Sequence, residues 1–171
     1  MSMAERFALA IPLALVTGMA FAADGPGLGK PVSEADLAKW DMSIGPDGKG
    51  LPAGSGTPAQ GAAIFAEKCE VCHGKEGLGG ANAMLANPPG KSDRTIALYV
   101  PTATTIFDYT RRAMPFTQPK SLSNDEVYSL TAYILARNKI IGDNDVMNAE
   151  TLPKVAMPNR NGFVSRYPEK H

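Results

Sequence analysis

The residues of this sequence best suited to chemistry are two thiols and an imidazole within five consecutive positions: Cys69, Cys72 and His73. At that spacing the thiols lie about one helical turn apart and can add to the two vinyl groups on one edge of a porphyrin. The imidazole that follows the second thiol can then bind the iron from one side as its proximal ligand. The pattern therefore predicts one covalently attached haem c.

Two other uses of paired thiols compete with this interpretation. A thioredoxin-like redox pair has the same cysteine spacing, but that fold needs strands, which the sequence does not indicate. A zinc site needs two further Cys or His ligands, and only His171 remains. His171 is the last residue, and it is interpreted as a solvated terminus and not as a ligand.

A sixth iron ligand from the protein should be a methionine thioether, which raises the reduction potential relative to a second histidine. Five methionines follow residue 22, namely Met42, Met84, Met114, Met147 and Met157. Met114 ends a predicted helix and precedes Pro115, which stops the helix and stiffens the backbone that presents the thioether. Met114 is therefore the predicted ligand, with Met84 and Met157 as alternatives, although a methionine can also fill a gap in a core.

Residues 1–22 have the pattern of a secretory signal peptide. One positive charge, Arg6, precedes an uncharged and mostly apolar run, and residues 20–22 match the small-x-small cleavage pattern. An uncleaved membrane anchor is the alternative, since the apolar run is at the lower length limit of a bilayer span. The sequence predicts cleavage near Ala22 and a mature periplasmic protein without a membrane-spanning segment.

Composition limits the remaining possibilities. The chain has 171 residues, of which 44% are hydrophobic and 20% charged, and this favours one folded domain with tails over disorder. Lys plus Arg and Asp plus Glu are equal at 17 each, whereas nucleic-acid binding needs a strongly basic face. The 17 glycines and 14 prolines predict much irregular backbone around a small helical core.

Capping patterns predict where the helices begin. Thr57 and Pro58 begin a helix that delivers the thiols and the imidazole at its end. Ser123 and Glu126 form a capping box at the start of a long helix that closes at Gly142. Its predicted buried stripe consists of Val127, Leu130, Tyr133 and Ile134.

The remaining segments divide the chain into a domain and two arms. Shorter helices are predicted at 95–99 and 102–113, with an irregular loop between the motif and the first of them. The predicted domain spans residues 57–142, with an N-terminal arm at 23–56 and a C-terminal arm at 143–171. The N-terminal arm has room for one short helix that ends near Trp40.

The first and last of the main helices carry a small residue and an aromatic pair: Gly61 and Phe65 in the first, Tyr133 in the last. This arrangement resembles class I cytochrome c, in which these two helices cross at such residues. The resemblance implies an all-α class I cytochrome c fold, here with long irregular N- and C-terminal arms.

Four longer strings extend the comparison: residues 40–48, 50–57, 104–115 and 157–163. They are similar to the cytochrome subunits of sulfite dehydrogenases and to the related SoxD-like cytochromes of sulfur dehydrogenases. That likeness implies a molybdenum-containing dehydrogenase as partner and Met114 as the sixth ligand. SoxD-like relatives often have a second haem domain, whereas this sequence has one Cys-x-x-Cys-His motif, which favours a one-haem subunit or carrier.

These observations predict an electron-transfer protein and not an enzyme. With both axial positions filled, the iron changes between its ferrous and ferric states without contacting a substrate. The expected electron donor is a periplasmic dehydrogenase, and the expected acceptor is a downstream cytochrome or oxidase. A haem enzyme or gas-binding sensor with a labile sixth ligand is the alternative, and an assembly subunit with a structural haem is a third.

Two further expectations concern contacts with the haem or with a partner. Arg94, Arg111 and Arg112 are candidates for binding haem propionates or a partner, or they form a solvated charged face. The proline and aromatic content of the arms differs from that of a flexible linker. We therefore expect residues 24–56 and 143–171 to pack on the core and to help hold a dehydrogenase subunit.

Overall fold

The structure is a computed structural model that describes residues 28–88, 90 and 95–164. The predicted signal peptide, Arg94 and His171 lie outside these residues. The chain divides into two compact units, the first ending at Trp40 and the second beginning at Asp41. The predicted border between the N-terminal arm and the helical domain, after residue 56, therefore falls inside the second unit.

In the first unit the described residues form one short helix, α1 (Glu34–Trp40), which confirms the helix predicted in this arm. The Ser33 hydroxyl closes its N-terminus, because it accepts from the Asp36 backbone N–H (3.1 Å) and donates to the Asp36 carboxylate (2.7 Å). Among its described residues four large apolar side chains are exposed: Leu28, Val32, Leu37 and Trp40.

The second unit is mostly helical, as predicted. Its helices are α2 (Pro58–Lys68), α3 (Glu70–His73), α4 (Ile96–Tyr99), α5 (Ala103–Ala113) and α6 (Asn124–Arg137), with 3₁₀ turns at Lys75–Gly77 and Leu152–Lys154. Two short strands, β1 (Ser55–Gly56) and β2 (Met147–Asn148), pair antiparallel. The sequence predicted no strand, and this pair joins the N-terminal arm to the C-terminal arm.

Both main helices begin at the predicted caps. The Thr57 hydroxyl accepts from the Gln60 N–H (3.3 Å), and the Gln60 side chain accepts from the Thr57 N–H (2.9 Å). Ser123 and Glu126 form the same reciprocal box at the start of α6. These local contacts fix the start of α2 and therefore the position of the thiols at its end.

α2 and α6 approach closely at a glycine. A Cβ atom at Gly61 would collide with the Ser129 carbonyl oxygen, so a larger residue would push the helices apart. One turn further along α2, the ring of Phe65 packs on that of Tyr133, with centroids 5.1 Å apart. The small residue and the aromatic pair expected from the family resemblance therefore lie at the contact between these helices.

α6 is buried on all sides from residue 127 to 136, and not only along the predicted stripe. α5 covers one side through Phe107, whose ring centroid lies 4.4 Å from that of Tyr128. The N-terminal arm covers another, since the Tyr128 hydroxyl donates to the Pro52 carbonyl oxygen (2.9 Å) and the Ser55 N–H donates to the Asp125 carboxylate (2.7 Å). The stripe was too narrow a prediction because both arms also pack on this helix.

The C-terminal arm contributes side chains to the main core. Leu152, Val155 and Met157 are buried in the same apolar cluster as residues of α5 and α6. Further along, the Asn159 side-chain amide donates to the Tyr99 carbonyl oxygen (2.6 Å) at the end of α4. The described parts of both arms that belong to the second unit, 41–56 and 143–164, therefore pack on the helices.

Candidate haem site

The two thiols and the imidazole lie on one continuous stretch of helical backbone. Cys69 is the C-terminal cap of α2 and the N-terminal cap of α3, and Cys72 and His73 belong to α3. The N–H groups of Cys72 and His73 both donate to the Cys69 carbonyl oxygen, at 3.1 and 3.0 Å. The structure therefore brings together these three predicted site residues within one turn, and no disulfide joins the two cysteines.

The Cys69 thiol does not have the electrostatic environment of an activated redox thiol. Burial raises the pKa of the Cys69 thiol to about 11, against a smaller opposing effect of the Lys68 charge. Redox catalysts of the thioredoxin type depend on the opposite, a thiol with a lowered pKa that is ionised at neutral pH. This disfavours the thioredoxin-like alternative.

The zinc alternative also lacks support. The described part of the chain contains no group of three or more His, Cys, Asp or Glu side chains arranged to hold a metal ion. Structural zinc sites need four such ligands. The donor set at residues 69–73, two thiols and one imidazole, instead fits a porphyrin with its iron.

The imidazole of His73 is held in one orientation by a backbone carbonyl. Its Nδ1 atom lies 2.8 Å from the Ala83 carbonyl oxygen. A carbonyl oxygen only accepts, so Nδ1 carries the proton and Nε2 is left with its lone pair for a metal. A hydrogen bond at one ring nitrogen fixes the tautomer of a ligating histidine and makes its other nitrogen more basic.

The loop after the motif folds back onto it through backbone hydrogen bonds. The Gly79 N–H donates to the His73 carbonyl oxygen (3.0 Å), and the Asn82 N–H donates to the Cys72 carbonyl oxygen (2.9 Å). Gly74 has a φ of 76°, and a Cβ atom there would collide with the Gly79 carbonyl oxygen. These contacts bring Ala83 to the imidazole.

Met114 lies on a different element from the thiols and the imidazole. It is the C-terminal cap of α5, its N–H donates to the Thr110 carbonyl oxygen (3.1 Å), and its side chain is half-buried. Its backbone is extended, with φ −117° and ψ 146°, and a cis peptide bond links it to Pro115. The helix ends at the residue before Met114, as the proline predicted.

The two alternative methionine ligands occupy different surroundings. Met157 is 4% exposed and belongs to the main apolar core, as does Met147. Met84 follows Ala83, whose carbonyl oxygen binds the Nδ1 side of the His73 ring. Met84 therefore follows a residue on the Nδ1 side of the ring, whereas a metal would bind at Nε2 on the other side.

Of the three arginines predicted to contact haem propionates or a partner, the structure describes two. Arg112 is engaged within the chain, since Nε donates to Asp108 (2.7 Å) and a terminal nitrogen donates to the Met42 carbonyl oxygen (2.7 Å). Arg111 is half-buried near the end of α5, and Arg94 is outside the described residues. Arg112 therefore ties the N-terminal arm to α5, the helix that Met114 caps.

Comparisons with known proteins place this site in a family. The family described as cytochrome C oxidase, cbb3-type, subunit III matches residues 56–134. A search of the curated proteins finds no match. Among solved structures, one chain of the sulfane dehydrogenase SoxCD from Paracoccus pantotrophus is 36% identical, with a TM-score of 0.72 over 84% of this chain and 72% of that one.

The chain belongs to the SoxD-like c-type cytochromes. It is thus an electron-transfer cytochrome, and its domain implies a haem c cofactor. The matched residues 56–134 contain the motif, Met114 and most of α6. No helix in the described part of this cytochrome has the length and apolar composition of a membrane span.

One participant of the site has no signature in the sequence. The residue that binds the Nδ1 proton, Ala83, contributes a backbone carbonyl, and every residue has one. The Gly-, Asn- and Pro-rich composition of residues 74–90 predicted an irregular loop there, but not which carbonyl would reach His73.

Proposed function

We propose that this cytochrome is a periplasmic carrier with one haem, which accepts electrons one at a time from a dehydrogenase and passes them to a downstream cytochrome or oxidase. The observation that carries the proposal is the His73 imidazole, held at Nδ1 by the Ala83 carbonyl oxygen (2.8 Å) beside the two thiols. Haem c, when bound, supplies an iron that changes its charge by one electron.

The residues that would hold the haem have separate roles. Cys69 and Cys72 would attach it covalently through thioether bonds, and His73 would bind the iron through Nε2. Met114 would supply the other protein ligand to the iron. This assignment is supported by the burial of Met147 and Met157 in the core and by the position of Met84 beside the carbonyl that binds the Nδ1 side of the imidazole.

A class I cytochrome c fold with long arms agrees with the contact between α2 and α6 and with the arms that cover α6. In this proposal residues 1–22 are a signal peptide that is cleaved near Ala22. Export also suits the attachment of haem c, which takes place outside the cytoplasm. The mature protein then acts in the periplasm.

The proposed electron donor is a molybdenum-containing dehydrogenase that oxidises sulfite or another reduced sulfur group. The similarity to a chain of a sulfane dehydrogenase supports this class of partner. The exposed apolar side chains on and beside α1, with Trp40 at 81% exposure, offer a surface that such a subunit could cover. The enzyme chemistry would take place on the partner, and this chain would receive the electrons.

The proposal is tested by mixing the ferric, haem-loaded protein with a molybdenum sulfite dehydrogenase and sulfite. Reduction of the haem should require both the dehydrogenase and sulfite, and it should be complete without oxygen. If dithionite reduces the haem but the dehydrogenase does not, the proposed donor is wrong. Rapid binding of carbon monoxide to the ferrous protein would instead favour a haem enzyme or gas sensor.

A further inference from the structure

The carbonyl that orients His73 lies on a short loop segment, and backbone hydrogen bonds also tie that segment to the motif. Asn82 donates to the Cys72 carbonyl oxygen (2.9 Å), and Leu85 donates to the Gly77 carbonyl oxygen (2.8 Å). Both acceptors belong to the motif or to the loop that follows it. Leu85 also packs against the apolar clusters of the helical core.

A side chain at the end of α6 also binds the backbone of this segment. The Asn138 amide nitrogen donates to the Leu85 carbonyl oxygen (2.7 Å), two residues beyond Ala83. The same nitrogen donates to the Ile134 carbonyl oxygen (2.8 Å), in the last turn of α6. Asn138 caps α6, the most buried helix of the unit, so this contact fastens the loop to that helix.

The third contact of this amide reaches the far end of the same loop. The hydroxyl of Thr95 donates to the Asn138 amide oxygen (2.8 Å), and Thr95 is 1% exposed at the start of α4. The two carbonyl partners require the amide NH₂, and the hydroxyl proton is then directed to the amide oxygen. Two donated bonds and one accepted bond suit asparagine, and neither aspartate nor leucine can make this set.

We propose that Asn138 is a positioning residue for the haem: by fixing Leu85, it keeps the Ala83 carbonyl oxygen on His73 Nδ1 and thereby lowers the reduction potential of the iron. This inference rests on the proposed function, in which His73 binds the iron. A hydrogen bond at Nδ1 makes Nε2 a stronger donor, and a stronger donor stabilises ferric iron relative to ferrous iron. Loss of the Asn138 contact therefore weakens the Nδ1 bond and raises the potential.

The test compares Asn138→Leu and Thr95→Val with the control Thr131→Val in the haem-loaded protein. Asn138→Leu removes the whole amide, and Thr95→Val removes only the hydroxyl that orients it. Thr131 donates to the Val127 carbonyl oxygen (2.7 Å) inside α6, so its change is of the same kind as that of Thr95 but does not affect the loop. The readouts are the midpoint potential and the exchange rate of the His73 Nδ1 proton in the ferrous state, measured by nitrogen-15 NMR.

Asn138→Leu should raise the potential and speed the exchange of the Nδ1 proton, and Thr95→Val should shift both in the same direction by less. Thr131→Val should change neither. The inference is overturned if both loop variants keep the wild-type midpoint potential and Nδ1 exchange rate and lose only thermal stability. Asn138 would then act only as a helix cap. If Asn138→Leu yields no haem-loaded protein, Thr95→Val decides by the same two readouts.

Failure of the proposed function is visible before any variant is made. A wild-type protein whose iron is not bound by His73 would refute the function itself. A wild-type protein with the expected iron ligands, whose loop variants behave like the control, would refute only the role of Asn138.

Discussion

The two ends of α6 hold different parts of the cytochrome. At the N-terminal end, Asp125 binds the backbone of Ser55 and Tyr128 binds that of Pro52, so the helix holds the N-terminal arm. At the C-terminal end, Asn138 binds Leu85, so the helix holds the loop that reaches His73. One helix thus connects the covering arms to the haem site.

The difference between the two ends has a functional consequence. Contacts at the arms bury apolar surface and raise the free energy of unfolding, and the hydrogen bonds of Ser55 and Pro52 there involve α6 and not the motif. Contacts at the C-terminal end hold the loop whose Ala83 carbonyl oxygen binds the His73 imidazole. Changes at the arms should therefore alter stability, and changes at the loop should also alter the potential.

The largest expected effect on the arm side comes from Leu152→Ala. Leu152 is fully buried in the main core, and removal of a buried leucine side chain costs about 2–5 kcal/mol because it leaves a cavity. Urea unfolding should show this loss, while the reduction potential of the folded protein stays at its wild-type value.

The matched control is Leu28→Ala, the same substitution at a side chain that is 88% exposed, for which no loss is expected. A clear shift in the potential of the folded Leu152→Ala protein would break the comparison, because it would show that the arm also acts on the iron.

A smaller effect is expected from Glu126→Gln, near the N-terminal end of α6. The hydrogen bond from Lys68 (2.5 Å) and the one from the Ser123 N–H lower the pKa of the Glu126 carboxyl. A carboxyl whose pKa is lower in the folded state stabilises the fold above its usual pKa of 4.5, and this stabilisation is lost as the pH falls through the folded pKa. Because the pair is solvent-accessible, the effect should be small.

The measurement is the urea midpoint of the wild type and of Glu126→Gln at neutral pH and well below pH 4.5. The variant should be less stable at neutral pH, and the difference should shrink in acid. Glu150→Gln, an exposed carboxylate, is the control and should match the wild type at both values. A difference between wild type and Glu126→Gln that is constant with pH would contradict a role for the charge.

Features set by neighbouring residues were predictable from the sequence. The Thr57 and Ser123 caps act within four residues, and the cysteine spacing defines one helical turn, so each pattern carries its own geometry. The mostly helical second unit, the start of α2 and the grouping of Cys69, Cys72 and His73 follow from such local signals.

Features that join distant residues were not predictable in the same way. β1 pairs with β2 across most of the domain, and two residues per strand give no alternation to detect. The Ala83 carbonyl and the Asn138 amide act through contacts that depend on how the loop folds. The burial of α6 on all sides followed from the arms, whose glycines and prolines indicated only irregular backbone.

The most direct test of the proposed carrier role is the coordination of the ferric iron in the wild type and in Met114→Ala, with Met84→Ala as the control. The wild type and the control should be low-spin and six-coordinate, with the weak long-wavelength absorption of a methionine–iron bond. Met114→Ala should lose that absorption and bind cyanide or carbon monoxide readily. A Met114→Ala protein with the wild-type spectrum, or a wild type that is already five-coordinate, would contradict the assignment of two protein ligands to the iron.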